Sequence, residues 1–215
     1  VSWPVMALCA AVTAVCCCPL AVAAGTVEPA APRGPDRAAA PVGWPAAGCA
    51  VALCLGALAT IRLDATPPLP VALATIAAGT ALAISDLRAR RLPDLLIAPI
   101  LLVWSVTAAT AVALHLPDSL TALIRAIVTG AAIAGAAVLL AVARSGIGAG
   151  DIKLAAILSA VTAWLGLHHL AVFVLAAVGF TLATALIALI GTRSLRATIP
   201  AGPALCAAAV IAYLT

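Results

Sequence analysis

Charge is what this sequence has least of. Asp, Glu, Lys and Arg make up 8 % of its 215 residues, hydrophobic residues 66 %, and the mean hydropathy is +1.26. A soluble domain of this size needs a polar surface that so few charged residues cannot furnish, which excludes that class. What remains is a polytopic membrane protein. Since ~20 apolar residues cross the hydrocarbon core as a helix, the chain has room for about eight helices and almost no extramembrane domain. The expected fold class is therefore all-α, a polytopic transmembrane bundle. The net charge of +4 is no argument for nucleic acid, and no nucleic-acid partner is expected. The expected surroundings are the lipid bilayer.

Polar cysteine pairs are also missing. Cys9, Cys16, Cys17, Cys18, Cys49, Cys54 and Cys206 all lie in apolar runs, and no C-x-x-C pair stands in a polar loop, where a zinc site or disulfide would be expected. They read as small buried hydrophobes, and neither a metal nor a cofactor is expected. No apolar run carries a charge near its centre, which weakens the reading as an ion-coupled transporter. No internal repeat is visible.

In chain order, residues 5–24 form the first apolar run, followed by a polar linker, residues 25–42, with Glu28, Arg33, Asp36, Arg37 and several prolines. The Ala-Val-Ala-Ala at the end of the run could be a signal cleavage sequence. No Lys or Arg precedes the run, however, so a retained helix is the expectation. This gives a division into residues 1–43, a first helix with its linker, and residues 44–215, the main transmembrane domain. Further spans are expected at 44–61, 69–85, 95–114, 120–143, 152–167, 170–190 and 199–214. Pro67-Pro68 punctuates the boundary before the third. In the fifth, Gly130, Ala131, Ala134 and Gly135 should let another helix approach closely.

Two loops hold unusual acids. Residues 86–94, Asp86-Leu87-Arg88-Ala89-Arg90-Arg91-Leu92-Pro93-Asp94, form the densest charge cluster, and residues 146–154, Gly146-Ile147-Gly148-Ala149-Gly150-Asp151-Ile152-Lys153-Leu154, are a glycine-spaced loop ending in an acid before an apolar segment. If both loops share one side, most basic residues fall there and only Arg62 and Arg125 lie opposite. That asymmetry puts both acids on the cytoplasmic side. Asp86 closing the third span and Asp151 opening the sixth would sit at one membrane depth if those helices pack side by side.

Two carboxylates at such a place can share one water. Like charges at close range resist full ionisation, so one acid tends to stay protonated while the other acts as base. The base would take a proton from water as it attacks a peptide carbonyl, and the acid would hydrogen-bond the developing oxyanion. A coupled pair titrates as a unit, so spacing alone assigns neither role. Gly146, Gly148 and Gly150 would allow backbone angles closed to other residues and let a substrate strand lie beside Asp151. The structural alternatives stay open: Asp151 as an N-cap, Lys153 as a snorkelling interfacial residue, Asp86 neutralised by Arg88, Arg90 or Arg91. Asp94 reads as the N-cap of the fourth helix. His115, His168, His169, Asp64 and Asp118 read as ordinary interfacial residues on the other side.

Three stretches, in order, resemble the type IV prepilin peptidase family, membrane aspartic proteases of the GxGD kind. Residues 86–94 look like its D-x5-L-P-D segment, and residues 146–154 like its G-x-G-x-G-D-x-K-L segment. Ile199-Pro200-Ala201-Gly202-Pro203 resembles the I-P-F-G-P that opens the last helix, with Ala201 in place of the aromatic. The resemblance implies that Asp86 and Asp151 are the catalytic pair. Gly146, Gly148, Gly150, Lys153, Pro93, Pro200 and Gly202 are expected to shape the loops or bind substrate. It also implies precursors of type IV pilins or pilin-like secretion proteins as substrates, cut on the cytoplasmic side of the pilin's hydrophobic segment, in the plasma or inner membrane.

The match departs from larger family members, which carry an insert with paired C-x-x-C motifs between the first two spans and also N-methylate the new terminus. Here residues 25–42 are short and lack cysteine, which implies an aspartic endopeptidase without methyltransferase activity. The competing reading from another class is a catalytically silent membrane assembly or scaffold protein of a pilus or secretion system.

Overall fold

In a bilayer every backbone polar group must be satisfied within the chain, and helices achieve this segment by segment. The computed structural model describes residues 44–63, 68–89, 94–145, 148–192 and 201–215. Among them are seven α-helices: α1 (Trp44–Leu63), α2 (Pro68–Ala89), α3 (Asp94–Ala113), α4 (Ser119–Leu140), α5 (Ala149–Leu165), α6 (Leu167–Thr192) and α7 (Gly202–Leu214). A short π-helical turn, Ala141–Ser145, continues α4.

The all-helical class holds, whereas the count of about eight is seven among the described residues; the first apolar run, 5–24, and the linker, 25–42, lie outside them. Among the described residues four stretches are long and apolar enough to cross a membrane: Leu69–Asp86, Leu96–Ala113, Ser119–Ala143 and Leu167–Ile187. The helices at the expected spans 152–167 and 199–214 have 17 and 13 residues and fall short of these four, for local reasons. Between α5 and α6 the chain breaks at Gly166 (φ 158°, ψ 163°), a conformation essentially confined to glycine. α7 begins at Gly202 with Pro203 in its first turn, where a missing N–H costs no helical bond.

The most enclosed of the four candidate spans is on α2, which packs against α1, α3 and α7. Its approach to α7 is close. Gly79 faces Cys206, whose Sγ would lie 3.3 Å from a β-carbon at 79, and the Thr75 and Tyr213 hydroxyls are hydrogen-bonded at 3.1 Å. From Gly202 to Tyr213, α7 runs antiparallel to α2 from Asp86 back to Thr75. Cys206 is buried as expected, while Cys54 on α1 is exposed. By contrast, α4 and α6 turn wide apolar faces outward, among them Ile127, Val128 and Leu139 on α4 and Leu175, Leu182 and Ile187 on α6. Such faces suit lipid rather than water.

α4 and α5 form the other close pair. A β-carbon at Gly130 would come within 3.0 Å of the Ala160 Cβ and 3.2 Å of the Ala156 carbonyl oxygen. The expected small-residue face is thereby corrected. Gly130 makes the contact with buried Ala126 one turn before it, whereas Ala131 and Gly135 are exposed and a β-carbon at 135 would meet nothing within 4 Å. At the far end of this pair Arg125 donates to the carbonyls of Ala163 (2.6 Å) and Trp164 (3.2 Å), two of the acceptors that the end of α5 leaves without helical partners. His169 Nδ1 lies 2.8 Å from the Ala212 carbonyl oxygen, so this expected interfacial residue ties α6 to the end of α7.

Candidate active site

Asp86 closes the candidate span Leu69–Asp86, as the residue pattern suggested, but not its helix. α2 continues to Ala89, which turns the acid inward in the final turn, and Asp86 is only 4 % exposed. A carboxylate so buried in an apolar bundle needs a donor. It has one in the backbone N–H of Gly202, which donates to Asp86 Oδ2 at 3.1 Å. Gly202 is the first residue of α7 and Ala201 its N-cap, so this N–H is one of the donors a helix start leaves unused. Pro203 next to it has no N–H to offer. The contact requires glycine: a β-carbon at 202 would stand 2.8 Å from Asp86 Oδ2, 3.3 Å from Cγ and 3.4 Å from Cβ.

Asp151 occupies a different setting. The N-cap of α5 is Gly148, not Asp151, which is the third residue of the helix and precedes the apolar stretch that starts at Ile152. Its carboxylate reaches back to the Gly148 N–H, while the Gly148 carbonyl accepts from the Ile152 N–H at 3.2 Å. This is the geometry by which an acid at the third helical position closes a helix start. The match is incomplete, because Asp151 Oδ1 is buried with no hydrogen-bond partner. Desolvation and then the negative charge of Asp86 push the Asp151 carboxyl up to about 6, and the Gly148 N–H offsets only part of this.

The two acids therefore come from distant parts of the chain to one end of the bundle, near enough for the charge of one to act on the other. They do so by a different route from direct packing of their helices. α7 packs on both α2 and α5, which share no comparable contact with each other, so the third motif is the element that joins the first two.

The remaining expected residues divide. Gly148 has ordinary extended angles (φ −70°, ψ 143°) that any residue adopts, which corrects the expectation that special backbone angles explain it. A β-carbon there would lie 3.5 Å from Asp151 Oδ2, an ordinary contact. Gly150 is half-buried in the first turn of α5, and Lys153 is exposed. Gly146, Pro93 and Pro200 lie outside the described residues, as do the side chains of Arg88, Arg90, Arg91 and Asp94; α3 begins at Asp94. Sequence reasoning grouped Gly202 with loop-shaping residues and missed its bond to Asp86. The available signal was a Gly-Pro pair opening an apolar helix. Among the described residues no group of three or more His, Cys, Asp or Glu side chains gathers as a metal site.

The family model described as the type IV leader peptidase family matches residues 73–192, a stretch that includes both acids and ends before Gly202. Comparison with curated proteins and with solved structures returned no match.

Proposed function

Because the chain belongs to the type IV leader peptidase family, we propose that it is a membrane aspartic endopeptidase that removes the leader of type IV prepilin or pilin-like precursors at the cytoplasmic face, with Asp86 and Asp151 as its catalytic pair. The observation that carries this reading is the unequal pairing of the two acids. Asp86 Oδ2 receives an amide N–H at the positive end of a helix, surroundings that suit a charged base. Asp151 has a buried oxygen with no partner and a carboxyl raised toward neutrality, surroundings that suit a proton carrier.

In the reaction so divided, ionised Asp86 takes a proton from a water as its oxygen bonds to the scissile carbonyl carbon. Protonated Asp151 donates a hydrogen bond to the carbonyl oxygen as negative charge develops there. Collapse of the tetrahedral intermediate breaks the C–N bond, and the proton taken up by Asp86 passes to the departing amine. A peptide at the cytoplasmic end of the bundle meets both acids without entering the hydrocarbon, which fits substrates that are themselves hydrophobic helices with a short leader. The reading is of peptidase activity alone, so the processed terminus is expected to be an unmethylated amine by mass spectrometry.

The test is co-expression with a pilin-like precursor from the same genome, comparing wild type, Asp86→Asn and Asp151→Asn at matched membrane levels. Cleavage by wild type and by neither variant is the expected result. Cleavage that survives both substitutions overturns the two-acid reading and leaves the non-enzymatic scaffold.

A further inference from the structure

At the end of the bundle opposite the acids, a cavity of about 460 Å³ opens between the α3–α4 turn, the start of α4 and the end of α5. Its depth follows from the chain path. The candidate span Leu96–Ala113 ends there, Ser119–Ala143 begins there and Leu167–Ile187 begins just beyond its wall, so it lies where spans leave the hydrocarbon.

The cavity carries one charge of each sign on a single helical face. Asp118, Thr121, Ala122 and Arg125 all line it, and their spacing of three, four and seven puts them on one side of α4. Asp118 is the N-cap of α4 by position, in a left-handed conformation (φ 57°, ψ 7°), yet its side chain makes no capping bond. Its carboxylate is thus left to the cavity. Arg125 is held by the carbonyls of Ala163 and Trp164. Those bonds use Nε and Nη2, and a guanidinium carries five N–H donors, so donors remain on the cavity wall. Asp118 and Arg125 stand seven residues apart, ~10 Å of axial rise between their backbones, a spacing that one small zwitterion can bridge. Ala111, Leu116 and buried Trp164 supply an apolar wall beside them.

We propose that this cavity binds the headgroup of a phosphoethanolamine phospholipid, its phosphate on Arg125 and its primary ammonium on Asp118, with the apolar wall along its glycerol and first acyl carbons. An anion alone would leave Asp118 repelling it. A quaternary ammonium has no N–H to give the carboxylate, and a glycerol headgroup has no positive charge. The primary ammonium is the group that satisfies both ends.

Native mass spectrometry of the detergent-purified full chain tests this, with phosphatidylethanolamine, phosphatidylcholine and phosphatidylglycerol of identical acyl chains, and free glycerophosphoethanolamine as the chain-less arm. The wild type is expected to retain phosphatidylethanolamine about tenfold better than the other two lipids, the order of one charge-assisted hydrogen bond. Asp118→Asn should erase that preference while phospholipid still binds, and Arg125→Gln should lose binding of all three. Arg125 also holds the end of α5, so the Asp118 variant, which breaks no helical contact, is the decisive one. Equal retention of the three lipids by wild type overturns the proposal, as does a preference unchanged in Asp118→Asn. Binding of free glycerophosphoethanolamine as tight as that of the lipid overturns the assignment to a membrane lipid.

Discussion

Asp86 and Asp151 look alike in the sequence, each an acid at the edge of an apolar run, and the fold treats them in opposite ways. Asp86 is the more deeply buried and yet receives a donor from another helix. Asp151 is the more open and has one oxygen left without a partner. Burial by itself would make Asp86 the neutral member of the pair, because desolvation disfavours charge. The amide donor of Gly202 acts against that tendency. A helix start aimed at a carboxylate supplies both a hydrogen bond and the positive end of a dipole, while Asp151 is raised first by desolvation and then by the charge of Asp86. In the proposed mechanism the division of labour in the pair thus depends on a third residue, Gly202.

The largest break in this comparison should come from Gly202→Ala. The added methyl would need the space of Asp86 Oδ2, 2.8 Å away, and Cγ at 3.3 Å is tighter than an ordinary contact. The Asp86 carboxylate has to shift, and the amide bond at 3.1 Å goes with it. Displacement of a reacting group by about an ångström costs ~100-fold in rate. Precursor cleavage by Gly202→Ala should therefore fall by about two orders of magnitude with the protein still present in the membrane at wild-type level. Near-wild-type cleavage would separate Gly202 from the catalytic division of labour.

A pH profile sharpens the same comparison. If Asp151 works as the proton carrier, cleavage requires its protonated form together with ionised Asp86, so with the Asp151 carboxyl at about 6 the rate should fall about tenfold per unit above that pH and fall again on the acid side, where Asp86 takes up a proton. Stability moves in the same direction. Between the ordinary value of 3.8 and about 6 native Asp151 keeps a proton that the unfolded chain has released, so the fold loses stability as pH rises through that window. Asp151→Asn should remove this dependence. Measuring cleavage and thermal unfolding of the purified protein from pH 4 to 8 checks both. A rate that rises through pH 6 would exchange the roles of the two acids.

How much of this was legible in the residues depends on which interactions carry each feature. The helical class follows from hydropathy and backbone satisfaction alone, and the two acids stand out because each sits at the edge of an apolar run. Three points were not legible, each decided by packing across helices. Asp86 was expected to close its span, as it does, but nothing local marks α2's continuation to Ala89. Gly130 and Gly135 read as one small-residue face, but only Gly130 meets α5, because α5 crosses α4 near Gly130 and is held at Arg125 by the ends of its own carbonyl ladder. The partner of Asp86 lies at Gly202, beyond the stretch that the family model matches. A local pattern points to a residue that matters; only the register of α7 against α2 says what it touches.

Gly148→Ala is the smallest expected effect and the strictest control on this account. Gly148 belongs to the glycine-spaced loop and its position suggested a need for unusual backbone angles. Its angles are ordinary extended ones, and a methyl group there would sit 3.5 Å from Asp151 Oδ2, close enough to touch and not to displace. The N–H that favours the charged form of Asp151 belongs to the backbone and survives the substitution. Cleavage by Gly148→Ala should stay within about threefold of wild type, corresponding to well under 1 kcal/mol, against the hundredfold loss at Gly202 for the same added methyl. Equal losses at the two glycines would mean that each acts through room left for the substrate strand, and the asymmetry between Asp86 and Asp151 would then have to arise without the amide of Gly202.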